Sequence, residues 1–274
     1  MGLASDGGLL LPESLPDFSA ELDELSTLGY RDLCFRLMKP FVDFPDQELR
    51  ALIYDSYSAF RTPEVVEIQS VGNFHVLELF HGPTLAFKDV ALQFLGNLFE
   101  KVLNERGGSL NILAATSGDT GSAAIRGVAN KSNINIFVMH PRNRVSRIQE
   151  LQMTSVLDEN VFNIAVNGTF DDCQSLMKTV FADLDFKSKY SLGTVNSINW
   201  ARILAQVVYY FYGAFAVMKE KGAPSVAFSV PTGNFGDIFA GYLAYRMGLP
   251  IEKLILATNT NDILARFFAE GDYS

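Results

Sequence analysis

Lys88 is one of three places in the chain whose residue types could do chemistry. It lies in Leu85-Ala86-Phe87-Lys88-Asp89-Val90-Ala91-Leu92, an apolar setting at the start of an expected helix that follows an expected strand. Burial and the positive end of a helix both favour the neutral, nucleophilic form of an amine. The bland alternative is a surface lysine whose stem packs beside Asp89. A second candidate is Gly233-Asn234-Phe235-Gly236-Asp237, between an apolar run and a helical pattern. Glycines let a backbone approach an anion closely, and the amides of a helix start point at it, so such a loop can hold a phosphate without a lysine. Spacing alone favours the structural alternative, a plain strand-to-helix turn with Asp237 near the N-cap, because tight glycine turns are common in α/β folds.

Thr116-Ser117-Gly118-Asp119-Thr120-Gly121 occupies the same position in an earlier unit. Its hydroxyls and helix-start amides suit a carboxylate. The same residue types also serve as a simple N-cap cluster. Asn196-Ser197-Ile198-Asn199-Trp200-Ala201-Arg202 puts the sole tryptophan, two amides and an arginine at another helix start. Here capping by Ser197 or Asn199, with Trp200 as a core anchor, is the structural alternative. Arg142, Arg144 and Arg147 form a small basic group of the kind usually found on a solvated face.

Other chemistries find no footing. No GxxxxGK[ST], GxGxxG or GxSxG occurs, so a P-loop, a dinucleotide fingerprint and a hydrolase elbow are unsupported. His75, His81 and His140 lack zinc-ligand spacing. Twenty-two basic against 31 acidic residues leave a formal charge of −9 and no basic run, so no nucleic-acid partner is expected. Cys34 and Cys173 cannot form a disulfide framework. Their small number fits a reducing, cytoplasmic setting. The start of the chain lacks a basic head and does not read as a signal peptide. The most apolar stretch, Ala205 to Met218, is shorter than the roughly 20 residues of a bilayer span. It reads as a buried helix, and no membrane partner is expected.

The elements that must position these residues alternate. After irregular and helical pieces over the first 70 residues, Phe74 to Phe80 reads as a strand, and His81-Gly82-Pro83-Thr84 as a turn. Ala86 to Arg106 then reads as a long helix stopped by Gly107-Gly108. Leu110 to Ala115, a loop, a helix over Ser122 to Asn130 and Ile134 to Met139 make a βαβ unit. Val161 to Val166 and Asp172 to Phe181 continue the alternation. Trp200 to Lys221 reads as a long helix, Val226 to Val230 as a strand, Ile238 to Met247 as a helix and Leu254 to Ala257 as a strand. The class expected is α/β, with ligand loops at the carboxyl ends of parallel strands. No closing helix is expected after the last strand. An open sheet ending there would leave a face uncovered, which suggests part of a longer protein.

Six segments, in order, resemble the threonine synthases: GLASDGGLLLPE, FHGPTLAFKD, ATSGDTGSAA, SRIQELQMT, NSINWAR and PTGNFGD. These are pyridoxal-phosphate enzymes of the tryptophan-synthase-β-like type, fold type II. PRNRVS stands where that family often has Pro-Lys-Gly. The resemblance implies open, mostly parallel sheets with flanking helices, truncated at the C-terminus. It implies an N-terminal segment over 1–70, a large cofactor domain over 71–107 and 196–274, and a smaller mobile domain over 108–195. Lys88 would be the catalytic residue and would bind the cofactor, pyridoxal 5'-phosphate. Gly233, Asn234, Phe235, Gly236 and Asp237 would cradle its phosphate, with Asp119 also on the cofactor. Ser117, Gly118, Asp119 and Thr120 would hold the substrate carboxylate, and Asn199 and Arg202 the substrate phosphate. The group that meets the pyridine nitrogen would lie in the family's C-terminal part.

The reaction so implied converts O-phospho-L-homoserine and water to L-threonine and phosphate. The motifs do not separate this from a threonine-synthase-like phospho-lyase that yields 2-oxobutyrate. An inactive α/β fragment that only binds phosphate ligands is the alternative of another class. A phosphosugar enzyme without cofactor explains the glycine loops but leaves Lys88 without a task.

Overall fold

Apolar periodicity that switches between alternation and helical spacing builds the following order in the computed structural model, which describes residues 10–195 and 199–272. Helices α1 (Leu22–Leu25), α2 (Tyr30–Met38) and α3 (Asp46–Tyr57) precede strands β1 (Glu67–Val71) and β2 (Phe74–Glu78). Then come α4 (Lys88–Arg106), β3 (Leu110–Ala115), α5 (Asp119–Val128), β4 (Ile134–Pro141) and α6 (Arg147–Thr154). β5 (Val161–Val166), α7 (Phe170–Ala182), α8 (Leu184–Lys189) and β6 (Leu192–Gly193) follow. α9 (Trp200–Lys221), β7 (Val226–Pro231), α10 (Gly236–Arg246), β8 (Ile251–Ala257) and α11 (Ile263–Glu270) come last.

The chain divides into two compact units. The first contains Ala51–Val66 and Leu79–Arg202. Its sheet is wholly parallel, in the order β5-β4-β3-β6. Alternation along β4 sends Ile134, Ile136 and Val138 into one core with Leu92 and Leu95 of α4, Ala123, Ala124, Ile125 and Val128 of α5, and Met153 of α6. Met139 points the other way, onto Cys173 and Met177 of α7. Helices therefore cover both faces, as a parallel sheet requires. Local chemistry sets the ends. Gly107, at φ +65°, stops α4. Ser146 caps α6, and a Thr169–Asp172 capping box starts α7.

The second unit contains Leu11–Arg50, Glu67–Glu78 and the chain from Ile203 onward. β7 and β8 pair in parallel, with α10 between them in sequence, while β1 and β2 form an antiparallel hairpin. Aromatic edges pack its interior: Phe18 on Phe211, Tyr30 on Tyr212, and Tyr210 on Phe228. Among the described residues α9 alone is long and apolar enough to cross a membrane, yet 72% of its most apolar window is buried. That is the burial of a core helix.

One feature departs from the sequence reading. A helix does follow the last strand: Ile263, Leu264, Phe267 and Phe268 recur at helical spacing and form α11, ended by Gly271 at φ +76°. Within the first unit, the helix that bears Lys88 lies with β3–β6. The reason lies in two glycines, because α4 and α5 touch backbone to backbone at Gly96 and Gly127. The Gly-rich start over residues 1–9 and the Asn196-Ser197-Ile198 part of the later motif lie outside the described residues.

Candidate active site

Helix α4 opens on Lys88, and α5 opens on Asp119, so two adjacent helix starts present an amine and a carboxylate. Lys88 Nζ lies 3.4 Å from Asp119 Oδ2 and 4.5 Å from the centre of the Phe87 ring. The lysine side chain is 19% exposed and the aspartate 43%, so the amine is mostly enclosed while its partner reaches solvent. This is not the flat surface lysine of the bland alternative.

The loop over β3 resolves its two sequence readings residue by residue. Thr116 is buried and does the capping work: its Oγ1 accepts from the amides of Gly118 and Gly121 at 3.0 and 2.9 Å. Ser117 is exposed, and Asp119 and Thr120 are half-buried, which leaves them at the surface where a carboxylate could dock. Gly118 sits at φ +147°, and a Cβ there would fall 2.4 Å from Cδ of Gln149. Only glycine suits that position.

Gln149, which the sequence reading did not single out, touches one of the candidate residues. Its amide donates to Asp119 Oδ1, and its Oε1 accepts from Ser146. The signal available was SRIQELQMT itself, which places Gln149 and Gln152 one turn apart on α6. Asp89 was likewise passed over as a mere neighbour of Lys88. It is fully buried, and burial pushes its carboxyl up against the opposing pull of hydrogen bonds from Thr84, Ala86 and Gln93.

β6 pairs with β3 through Leu192–Asn111 and Gly193–Ile112. Chain leaving β3 at Thr116 and chain leaving β6 toward Asn199 therefore emerge at the same carboxyl edge, where α/β sheets bind ligands. Asn199 is buried, and its Oδ1 accepts from the amide of Ala201 at 2.9 Å, so it performs the capping task. Arg202 is buried and donates to the Val195 carbonyl. Burial lowers it to about 10, which leaves it cationic at neutral pH. Arg142, Arg144 and Arg147 are exposed, as a solvated face would be.

In the second unit the 233–237 segment joins β7 to α10. Gly233, Asn234 and Phe235 are exposed, and a Cβ on Gly233 would meet nothing within 4 Å. No side chain caps α10. Open backbone at an uncapped helix start fits a phosphate monoester. Asp237 would repel such an anion, but its carboxylate is turned to α9. Its Oδ1 accepts from Tyr209 Oη at 2.6 Å and from Tyr210 Oη at 2.9 Å. Burial first, then the Asp237 charge, raises both tyrosines above the ordinary phenol range. They stay protonated as donors. Tyr209→Phe or Tyr210→Phe should cost about 1 kcal/mol, and the double variant about 3 kcal/mol, because both hydroxyls donate to the same carboxylate oxygen. Urea midpoints measure this; strict additivity of the two losses would show that the hydroxyls do not share one acceptor.

The residues present suit pyridoxal 5'-phosphate: a mostly enclosed amine for an aldehyde, and an uncapped glycine loop for a phosphate. A family model described as "Threonine synthase N terminus" matches residues 1–57, and one described as "Pyridoxal-phosphate dependent enzyme" matches residues 63–274. The chain is 55% identical over 280 residues to a threonine synthase of Pseudomonas aeruginosa, covering 99% of this chain and 58% of that one. Against a threonine synthase of Saccharomyces cerevisiae it is 51% identical over 290 residues, covering 99% and 56%. A PLP-bound threonine synthase structure from Brucella melitensis superposes with a TM-score of 0.93 at 49% identity, over 100% of this chain and 59% of the other. The chain thus spans somewhat more than half the length of the relatives it matches.

Proposed function

Because the chain belongs to the pyridoxal-phosphate dependent enzyme family, we propose that it serves threonine synthesis from O-phospho-L-homoserine and water, with release of phosphate. The observation that carries this reading is the mostly enclosed Lys88 amine held 3.4 Å from the carboxylate of the 117–120 loop. Pyridoxal 5'-phosphate, when bound, supplies an electron sink for charge at the substrate Cα.

The roles of this chain's residues follow from their chemistry. Lys88 Nζ would hold the aldehyde carbon of the cofactor, and as a free amine it would be the base that takes the Cα proton and serves Cβ. Asp119, steadied by Gln149, orients that amine. Ser117, Gly118, Asp119 and Thr120 hold the substrate carboxylate through hydroxyls and helix-start amides, and exclude bulk water until it is needed. The backbone of Gly233, Asn234, Phe235, Gly236 and Asp237 receives the cofactor phosphate, while the Asp237 side chain anchors the helix behind it. Arg202 supplies positive charge for the phosphate that leaves Cγ, with Asn199 holding the turn before it. Water then adds at Cβ.

The test is product analysis with O-phosphohomoserine and added pyridoxal phosphate. Threonine and inorganic phosphate are expected in equal amounts. Phosphate with 2-oxobutyrate and no threonine would move the reading to the phospho-lyase. Neither product, with no cofactor absorption band, would leave a phosphate-binding fold without catalysis.

A further inference from the structure

One residue beyond Lys88 stands a carboxylate that the proposed chemistry does not use. Asp89 is 0% exposed. Its Oδ2 accepts from the Thr84 amide at 2.8 Å, and its Oδ1 from the Thr84 hydroxyl at 2.8 Å and the Gln93 amide at 3.3 Å. The Ala86 amide donates as well. A buried charge is tolerated only when its lone pairs are satisfied in this way.

Most of these donors belong to the turn that leads into Lys88. That turn is tightly specified. A Cβ on Gly82 would fall 2.4 Å from the Asp89 Cβ, and Leu85 is held at φ +59°, a conformation that non-glycine residues seldom adopt. No side chain caps α4 from outside. The turn is closed instead from within the helix, by Asp89. A second tie comes from α6, where Gln152 Nε2 donates to the Thr84 carbonyl at 2.9 Å. One turn earlier, Gln149 holds Asp119, which faces Lys88. The hydrogen bonds thus form a ring: Lys88, Asp119, Gln149, along α6 to Gln152, Thr84, Asp89, and back to Lys88 through the backbone.

We propose that Asp89 is a positioning residue that acts through Thr84 and Gln152 to set where the Lys88 amine stands relative to the 117–120 loop. The proposal rests on the reading of Lys88 as the cofactor lysine. Attachment adds the amine nitrogen to the aldehyde carbon and releases water, and misplacing one reactant slows such a step steeply.

The experiment follows that attachment in the full chain freed of cofactor. Growth of the absorption band on adding pyridoxal phosphate gives the rate, and borohydride fixation with peptide mass mapping identifies the lysine. Asp89→Asn and Thr84→Val should each slow attachment about tenfold, and the double variant scarcely further. Thr84→Ser, which keeps the hydroxyl, should restore the wild-type rate. Thermal unfolding is measured in parallel, so that slowing can be compared with loss of stability. Attachment in Asp89→Asn at the wild-type rate would overturn the positioning role while leaving the cofactor reading intact. Slowing that merely tracks the melting temperature across all variants would overturn it too, in favour of a purely structural carboxylate. Absence of a fixed adduct on Lys88 in the wild type would overturn both readings together.

Discussion

Lys88→Ala is expected to abolish the absorption band of bound pyridoxal phosphate and to lower turnover by roughly 10³-fold or more, because anchor and base are lost together. The fold should survive. The ion pair that the change removes is long, 3.4 Å, and its Asp119 partner is 43% exposed. Pairs so placed contribute at most about 1 kcal/mol. Lys88→Arg sharpens the test, since it keeps the positive charge beside Asp119 but carries no amine that can condense with an aldehyde. Both variants should therefore look alike by spectrum and differ little in melting temperature. Two other lysines of the same unit are otherwise engaged: Lys131 with Glu100 and Asn97, and Lys101 with Glu105. A band that persists in Lys88→Ala would mean that the anchor is another residue, and the assignments built on Lys88 would fall with it.

How far the sequence exposed this arrangement depends on the range of the interactions involved. The extent of α4 was readable almost to the residue, because Gly107-Gly108 ends it and apolar residues recur through it. β3 and β4 declared themselves as short apolar runs between turn residues. Lys88 was singled out by the FHGPTLAFKD resemblance, since its apolar neighbours alone suit a surface lysine with a packed stem equally. Spacing could not decide between capping and binding in the 116–121 loop, since serine, threonine and aspartate serve both. The fold divides the labour instead, with Thr116 buried as the cap and Ser117 at the surface. Gln149 and Gln152 were invisible as functional groups because their partners, Asp119 and Thr84, lie 30 and 68 residues away. The same holds for Asp89, whose burial depends on a turn folding back over it. Helix α11 is short, and the polar Gly271-Asp272 that follows it masks the helical spacing of Ile263, Leu264, Phe267 and Phe268. Interactions local in sequence were legible; those made by tertiary packing were not.

The packing of α4 on α5 yields the second large effect. Gly96→Ala should destabilise the first unit by about 3 kcal/mol or more, at or above the usual upper end for overpacked cores. A Cβ on Gly96 would lie 1.9 Å from the carbonyl oxygen of Gly127, and one on Gly127 would lie 2.5 Å from that of Leu92. Both obstacles are backbone, so no side-chain rotation relieves them. The helices must separate, and buried Leu92, Leu95, Ala124 and Val128 would lose contacts on both sides of the seam. Better helix propensity returns only about 1 kcal/mol. For a unit of this size the melting temperature should fall by roughly 6–12 °C. Gly107→Ala provides the contrast, since it meets nothing within 4 Å and is strained only by its φ of +65°. Its expected cost is about 1 kcal/mol. The seam also bears on chemistry, because α4 begins with Lys88 and α5 with Asp119. Spreading the two helices should slow attachment of pyridoxal phosphate even at temperatures where the variant remains folded. Gly96→Ala melting at or above the wild-type temperature would mean that the helices do not meet on their glycines. The account of how Lys88 and Asp119 are held together would then lose its support.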